Sequence, residues 1–452
     1  MDFDENLELL AEHRYLQWLD LLQTRQVQIP EWATSFHPQR LSCSIVLPTL
    51  YGSYNFGIPV AFSNGEEWFV RFPLRGKTSA EHLDEKVASE VAALKLLRAH
   101  TDIPVPEVKA WGLARENKLG VGPFIIEEFI HGERLEPILS NPDDKDSCLL
   151  DGKLDDGKVN TIYKQLARFQ LQLFNLNFEH IGSLVGGSSR LQPPLTMAAN
   201  MMACLSGANV LAPLRQELST TEDYFEHVWN QYWQQFATQR RSCAKDPVAD
   251  GKANYIFHQV LKTLIKRHVW PEYSKGPFKL HCDDIGPANM LVNNVQELKI
   301  VEVVDVEWSY IAPVQLATVP WWILQERPDS WPFDITRRDM FPKYSDKFRR
   351  ILEEEEALMP AVQGPRLSEL VKRSEEDGSM WLHMLVVTTP DWVELAAEVR
   401  GRGEVQSLVA RKLEENERYW SVVRETRKMV EEVKDGKRTH QDVIDHVEAA
   451  YG

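Results

Sequence analysis

The chain has 452 residues, of which 43 % are hydrophobic and 26 % charged, and its formal net charge is −16 at pH 7. This is the composition of a globular protein with a sizeable apolar core, and its acidity excludes a nucleic-acid binder that works through its overall field. The five cysteines (Cys43, Cys148, Cys204, Cys243 and Cys282) are odd in number and no two lie within a few residues of each other, which argues against a disulfide framework and a CxxC zinc site and fits a reducing compartment.

Leu7, Leu10, Tyr15, Trp18 and Leu21 recur at helical spacing and predict an amphipathic helix over 4–24. The opening residues are acidic and read as neither a secretory signal nor an Arg-rich transit peptide, so the expected location is cytoplasmic. From residue 42 the pattern changes to short β-branched and aromatic runs, CSIVLPTL, IPVAF and EEWFVRF, separated by the turn-forming GSYNFG and SNGEE. Val87, Val91, Leu94 and Leu97 predict a helix over 81–100, which Pro104 and Pro106 end. VKAWGL and FIIEEFI predict two further strands, the second closed by His131-Gly132. Residues 42–132 therefore read as a mostly antiparallel sheet with one helix inserted after its third strand.

Helix dominates beyond Gly132, with predicted segments over 158–177, 219–238 and 253–269. The uncharged stretch 191–214 contains Pro193, Pro194, Gly207 and Pro213 and reads as a linker plus a buried helix, not a membrane span. LHCDDIGPANMLVN and LKIVEVVDVEW read as a loop followed by two short strands. Helix returns after residue 320, and the charged runs 353–356 and 404–433 read as solvated helix faces.

The chemistry concentrates in His281-Cys282-Asp283-Asp284-Ile285-Gly286-Pro287-Ala288-Asn289, with Asp305 sixteen residues after Asn289 at the end of an apolar run. Phosphoryl transfer needs this set of groups: one carboxylate to orient the attacking hydroxyl, and an amide oxygen and a second carboxylate to hold Mg²⁺ against nucleotide phosphates. A transition-metal site at His281 and Cys282 is the weaker reading, because no partner cluster accompanies them. Trp321 and Trp322 read as core packing or as the wall of a substrate pocket.

The loop resembles the HxDxxxxN catalytic loop of the aminoglycoside phosphotransferase and choline kinase-like family, and HCDDIGPANMLVN…VVDVEWSYIAP…VPWWIL is similar to its large fungal branch. GSYNFG stands where that family has its nucleotide-covering hairpin, EWFVRFP at its third strand, KVASEVAALKLL at the following helix and FIIEEFIHG at its hinge. The resemblance covers roughly residues 45–322. It implies a two-lobed, protein-kinase-like α+β fold: a helical extension over 1–41, a nucleotide-binding small lobe over 42–132, and a larger, mainly helical lobe over 133–452.

The resemblance also implies roles. Asp284 is the expected base, because the family Asn follows the base by five residues and Asn289 stands five after Asp284; Asp283 is the alternative. Asn289 and Asp305 would hold Mg²⁺. Gly52, Ser53 and Gly57 would cover the phosphates of ATP, Arg71 and Glu90 would position them, and the backbone at Glu128 and Phe129 would meet adenine. Cys282 stands in the family's His slot and Arg71 in place of its usual Lys, with Lys77 and Lys86 as nearby substitutes. The expected activity is ATP- and Mg²⁺-dependent transfer to a hydroxyl of a neutral or cationic small molecule (aminoglycoside-like, amino-alcohol or sugar), with neither nucleic acid nor membrane as partner. A nucleotide-binding protein that has lost transfer activity is the alternative.

Overall fold

The computed structural model describes residues 4–143, 148–185, 188–189, 193–211, 217–239, 265–318, 321–325, 335–359, 364–380 and 403–451, with 251, 255, 258, 261 and 262 between them. The smaller lobe is built on a six-stranded antiparallel sheet. Its strands are β1 (Cys43–Ile45), β2 (Leu50–Tyr51), β3 (Asn55–Phe62), β4 (Glu67–Pro73), β5 (Val108–Gly112) and β6 (Phe124–Glu128), in the order β1-β3-β4-β6-β5 with β2 paired to β3.

Strand alternation decides which side chains meet the core. On β4, Trp68, Val70 and Phe72 enter an aromatic cluster, while Phe69 and Arg71 take the opposite face. That cluster is closed by α1 (Glu5–Arg25) and α2 (Ile29–Thr34), through Trp18, Leu22, Ile29 and Trp32. The predicted N-terminal extension is thus part of the small lobe's core. Asp4 caps α1 by accepting from the backbone N–H groups of Asn6 at 3.0 Å and Leu7 at 3.4 Å. Trp18 Nε1 donates to the Val121 carbonyl at 2.7 Å, which satisfies the one polar atom of a buried indole.

Helix α3 (Leu83–His100) follows β4 as expected and buries Val87, Val91, Leu94 and Leu97. The larger lobe carries β7 (Glu133–Arg134), α4 (Leu135–Leu139), α5 (Asp156–Asn175), β8 (Gly182–Val185), β9 (Ser188–Ser189), α6 (Met197–Leu205) and α7 (Thr221–Thr238). The segment expected as a loop plus two strands holds three, β10 (Lys279–Cys282), β11 (Met290–Val292) and β12 (Ile300–Val303), and a fourth, β13 (Ser309–Ala312), follows it directly. They form two separate antiparallel ladders, β10 with β13 and β11 with β12, so the runs before the loop and after Asp305 each found a partner that local periodicity does not reveal. The described part ends in α8 (Ile335–Leu358), α9 (Leu367–Asp377), α10 (Gly403–Lys434) and α11 (His440–Tyr451). The helix expected over 253–269 falls largely outside the described residues.

The whole is a two-lobed α+β fold, with a small antiparallel lobe carrying one helix after β4 and a larger, mainly helical lobe. Within the uncharged stretch, α6 spans only nine residues, and among the described residues no helix is long and apolar enough to cross a membrane.

Helix α1 is seated on the turn after β4 by a close approach at Gly76. That residue has φ +89°, and a Cβ built there would lie 2.1 Å from the Ala11 carbonyl oxygen. Gly65 has φ +88° with open space around it. Gly65→Ala is therefore expected to cost only the left-handed penalty of about 1–2 kcal/mol. Gly76→Ala adds overpacking to that penalty and is expected to cost about 2–5 kcal/mol. Urea unfolding of both variants measures the difference, and equal losses would contradict the seating of α1.

Candidate functional site

The two ladders bring the chemistry together. Val304 donates its N–H to the Asn289 carbonyl at 2.9 Å, extending the β11–β12 pairing and setting Asp305 one residue beyond that contact. Asp283 donates its N–H to the Trp308 carbonyl at 3.1 Å, extending the β10–β13 pairing. The loop 283–289 and the segment 304–308 are thereby held side by side.

Within the loop, Asn289 Nδ2 donates to the Asp284 carbonyl at 2.8 Å and to its carboxylate at 3.1 Å. With its nitrogen on Asp284, the amide leaves its oxygen as the atom able to meet a cation. Asp284 is half-buried.

Asp283 has a different environment. It accepts from Tyr310 Oη at 2.8 Å and from the Met197 N–H at 2.8 Å, and lies 3.4 Å from His281 Nε2. Burial pushes its carboxyl up, but the His281 pairing and these hydrogen bonds win and hold it below its ordinary value. Asp283 therefore caps α6 and pairs with its neighbours. The Cys282 thiol is buried and pushed up to about 12, chiefly by desolvation, so it packs rather than reacts.

Asp305 has φ +55°, a left-handed conformation that Asp tolerates better than most residues. It accepts a hydrogen bond from Arg71 Nη2, across from the small lobe. Arg71 is buried on β4, and its Nη1 donates to Glu90 of α3 at 2.7 Å and to Glu127 of β6 at 3.3 Å. The residue expected to grip phosphate is therefore engaged by three carboxylates. Its desolvation opposes the charge, but Glu90, Glu127 and Asp305 outweigh that cost and raise its pKa.

A second buried pair lies beside the first. Lys86 of α3 is fully buried and bonds to Glu307, and its Nζ stands 3.3 Å from Asn55 Oδ1. Lys86, the alternative phosphate ligand by sequence, instead places its ammonium on Glu307. Gly52 and Ser53 lie exposed at the turn between β2 and β3, where Gly52 donates its N–H to the Asn55 carbonyl at 2.9 Å. Gly57 is buried within β3, and a Cβ there would lie 1.9 Å from the Phe69 ring, so packing explains that glycine. The N–H groups of Glu128 and Phe129 donate to the Glu107 and Glu67 carbonyls at 2.9 and 3.1 Å, and are engaged by neighbouring strands. Trp322 is core, edge-on to Tyr163 and Phe348. The side chain of Trp321 lies outside the described residues.

Sequence reasoning missed Glu127, Glu302, Glu307 and Asn55. Glu127 carried a signal, being an acid inside the apolar strand FIIEE, on the face of β6 diagonal to Arg71. Glu302 sits likewise within the apolar run of β12. Burial, with Glu127 nearby, pushes its carboxyl up to about 8. Glu127 is pushed up to about 7 by burial, against the pull of Arg71. Glu90, Glu127, Glu302, Asp305 and Glu307 thus surround two cations, Arg71 and Lys86, leaving an excess of buried negative charge. Such an excess is met by protons or by a further cation.

No family model matches the chain. The mitochondrial protein named altered inheritance of mitochondria protein 9 of Candida albicans (strain WO-1) is 27 % identical over 137 residues, covering 29 % of this chain and 20 % of that protein. Its namesake in Debaryomyces hansenii is 30 % identical over 138 residues, with the same coverage of 29 % and 20 %. The chain thus spans about a fifth of the length of these curated relatives. Their names overturn the cytoplasmic expectation, since both relatives are named as mitochondrial proteins. Among solved structures, a putative aminoglycoside phosphotransferase of Ralstonia eutropha JMP134 is 12 % identical, with a TM-score of 0.44, covering 86 % of this chain and 96 % of that one. A macrolide 2'-phosphotransferase type I is 10 % identical, with a TM-score of 0.41 and coverage of 85 % and 96 %.

The raised carboxyls set a pH dependence. Glu302 binds its proton more tightly folded than unfolded, so its contribution to stability is complete below about pH 4.5 and is lost as pH rises through about 8. Glu302→Gln is expected to lessen the fall in unfolding free energy between pH 6 and pH 8 by about 2 kcal/mol in EDTA. Urea titrations at the two pH values measure it; identical slopes for variant and wild type would contradict the assignment.

Proposed function

We propose that this chain is a phosphotransferase that passes the γ-phosphate of ATP, bound with Mg²⁺, to a hydroxyl group of a small molecule. One observation carries the reading: Arg71, paired with Glu90 in the small lobe, reaches Asp305 of the large lobe, where the β11–β12 ladder holds Asp305 beside Asn289 and, through it, Asp284.

In this reading Asp284 orients the acceptor hydroxyl and receives its proton, and its hydrogen bond from Asn289 fixes the carboxylate's direction. Asn289, through its amide oxygen, and Asp305 would hold Mg²⁺, an oxygen-only set with few protein ligands that suits this ion. When bound, Mg²⁺ neutralises charge on the phosphates. Release of Asp305 from Arg71 frees Nη2 to face a phosphate oxygen, while Glu90 and Glu127 keep the guanidinium in place. Gly52 and Ser53, at the exposed turn, cover the phosphates, and the hinge at Glu128 and Phe129 borders the adenine. The excess of carboxylates favours a neutral or cationic acceptor, of the amino-alcohol, sugar or aminoglycoside kind. The names of the relatives favour a mitochondrial setting. The closed Arg71–Asp305 contact favours a second reading, a nucleotide-binding protein without transfer.

Thermal unfolding with ATP separates the two. The phosphotransferase reading expects far greater stabilisation with Mg²⁺ than with EDTA, about 2.7 kcal/mol at 100 times Kd, and expects Asp305→Ala to abolish the difference. Equal stabilisation with and without Mg²⁺ would support the second reading.

The two adjacent acids are expected to differ in kind. Asp284→Asn should lower transfer from labelled ATP to a pool of amino-alcohol and sugar acceptors by about 10²–10⁴-fold, with stability preserved. Asp283→Asn should instead cost about 1–3 kcal/mol of stability, because Tyr310 and the Met197 N–H lose a charged acceptor. The reverse pattern would make Asp283 the base.

A further inference from the structure

We propose that Lys86 is a positioning residue that couples the phosphate-covering turn to the Asp305 segment; the role rests on the phosphotransferase reading, but the coupling does not. Lys86 lies on α3 one turn before Glu90, so one helix face presents a cation to Glu307 and an anion to Arg71. Its side chain is wholly buried, and its ammonium lies 5.5 Å from the centroid of the buried Trp308 ring.

Three elements meet at this ammonium. Glu307, two residues beyond Asp305, accepts from Lys86. Asn55, at the start of β3, offers Oδ1 to Lys86 at 3.3 Å, while its Nδ2 donates to the same Glu307 carboxylate at 2.5 Å. The Asn55 carbonyl accepts from Gly52 at 2.9 Å, and so closes the turn. A chain of hydrogen bonds therefore runs from the turn through Asn55 to Glu307, with Lys86 holding both arms. The neighbouring ring of Tyr54 stands edge-on to Trp308 at 5.0 Å and packs the same junction.

Without the lysine each arm loses its cation and only the Asn55–Glu307 hydrogen bond remains. Removing Lys86 leaves the Glu307 carboxylate buried against Asn55 alone, and a buried charge with one neutral partner is driven toward water. That movement pulls Glu307 off Asn55 and shifts the segment that carries Asp305. The turn that covers the nucleotide and the carboxylate that meets the metal therefore keep one geometry, which catalysis by positioning requires.

The test uses the full chain with wild type, Lys86→Arg, Lys86→Met and Glu307→Gln, read by hydrogen exchange without ligand. Lys86→Met is expected to speed exchange of the Gly52 and Val304 amides together by about tenfold or more, with Lys86→Arg restoring both to within about threefold. Glu307→Gln, which keeps the shape of the side chain, should loosen the same two amides and stands in if Lys86→Met does not fold. Loosening at one amide without the other, or at neither, overturns the coupling. In the presence of ATP, the Mg²⁺ concentration for half-maximal thermal stabilisation should rise about tenfold in Lys86→Met and return in Lys86→Arg. An unchanged Mg²⁺ midpoint with coupled exchange would overturn the positioning role alone. Coupled exchange in a wild type that gains nothing from Mg²⁺ would overturn the phosphotransferase reading and leave the coupling standing.

Discussion

The site depends on one buried guanidinium. Arg71 sits inside the small lobe with almost no exposure, and its two terminal nitrogens reach carboxylates on α3, on β6 and on the segment after β12. A planar fork can serve several acceptors at fixed angles, which a lysine ammonium does less well on its flexible stem. Burying such a charge is costly, and it is tolerated because Glu90 and Glu127 are equally buried and Asp305 closes the third side from a half-buried position. Glu90, Glu127 and Asp305 are in turn held by Arg71, so a sheet, a helix and a loop from the other lobe share one electrostatic anchor.

Helix α3 is the element through which this anchor reaches the rest of the molecule. Its apolar side, with Val87 and Val91, packs against Ile125 of β6 and seats the helix on the sheet. Its charged side carries Lys86 and Glu90 one turn apart, with opposite signs, toward Glu307 and Arg71. The helix cannot rotate or slide by a residue without separating both pairs and burying the apolar side less well. Hydrophobic contact thus sets where the helix lies, and charge sets its angular register.

The large lobe solves a different problem, which is to hold two acidic segments together despite their like charge. Backbone pairing does this work. The β10–β13 and β11–β12 ladders fix the loop 283–289 and the segment 304–308 at close range, whatever their side chains carry. Each acid then receives its own neutralising environment: Tyr310, His281 and the start of α6 for Asp283, Asn289 for Asp284, Arg71 for Asp305 and Lys86 for Glu307. Glu302 is left to burial and a proton, which is why its carboxyl rises furthest.

Local pattern in the sequence determined the helices α1, α3, α5 and α7, the strands of the small lobe and the loop that carries Asp284 and Asn289. These follow from period-3.6 and period-2 burial and from turn chemistry, all of which act over a few residues. The two-lobed fold was legible through the family resemblance that the loop and its neighbouring motifs carry, since local pattern by itself shows only one helix inserted in an antiparallel run and a long helical remainder. Tertiary structure alone decided the partners. That Asp283 accepts from the start of α6 and from Tyr310 while Asp284 lies against Asn289, that Arg71 is shared among three carboxylates, and that Lys86 bonds to Glu307 rather than facing a phosphate all depend on strands pairing across long separations. Glu127 and Glu302 look like isolated acids in apolar strands until the two lobes bring them to one buried cluster. Charge in a buried site is a property of the whole neighbourhood, and the sequence lists its members without stating who stands beside whom.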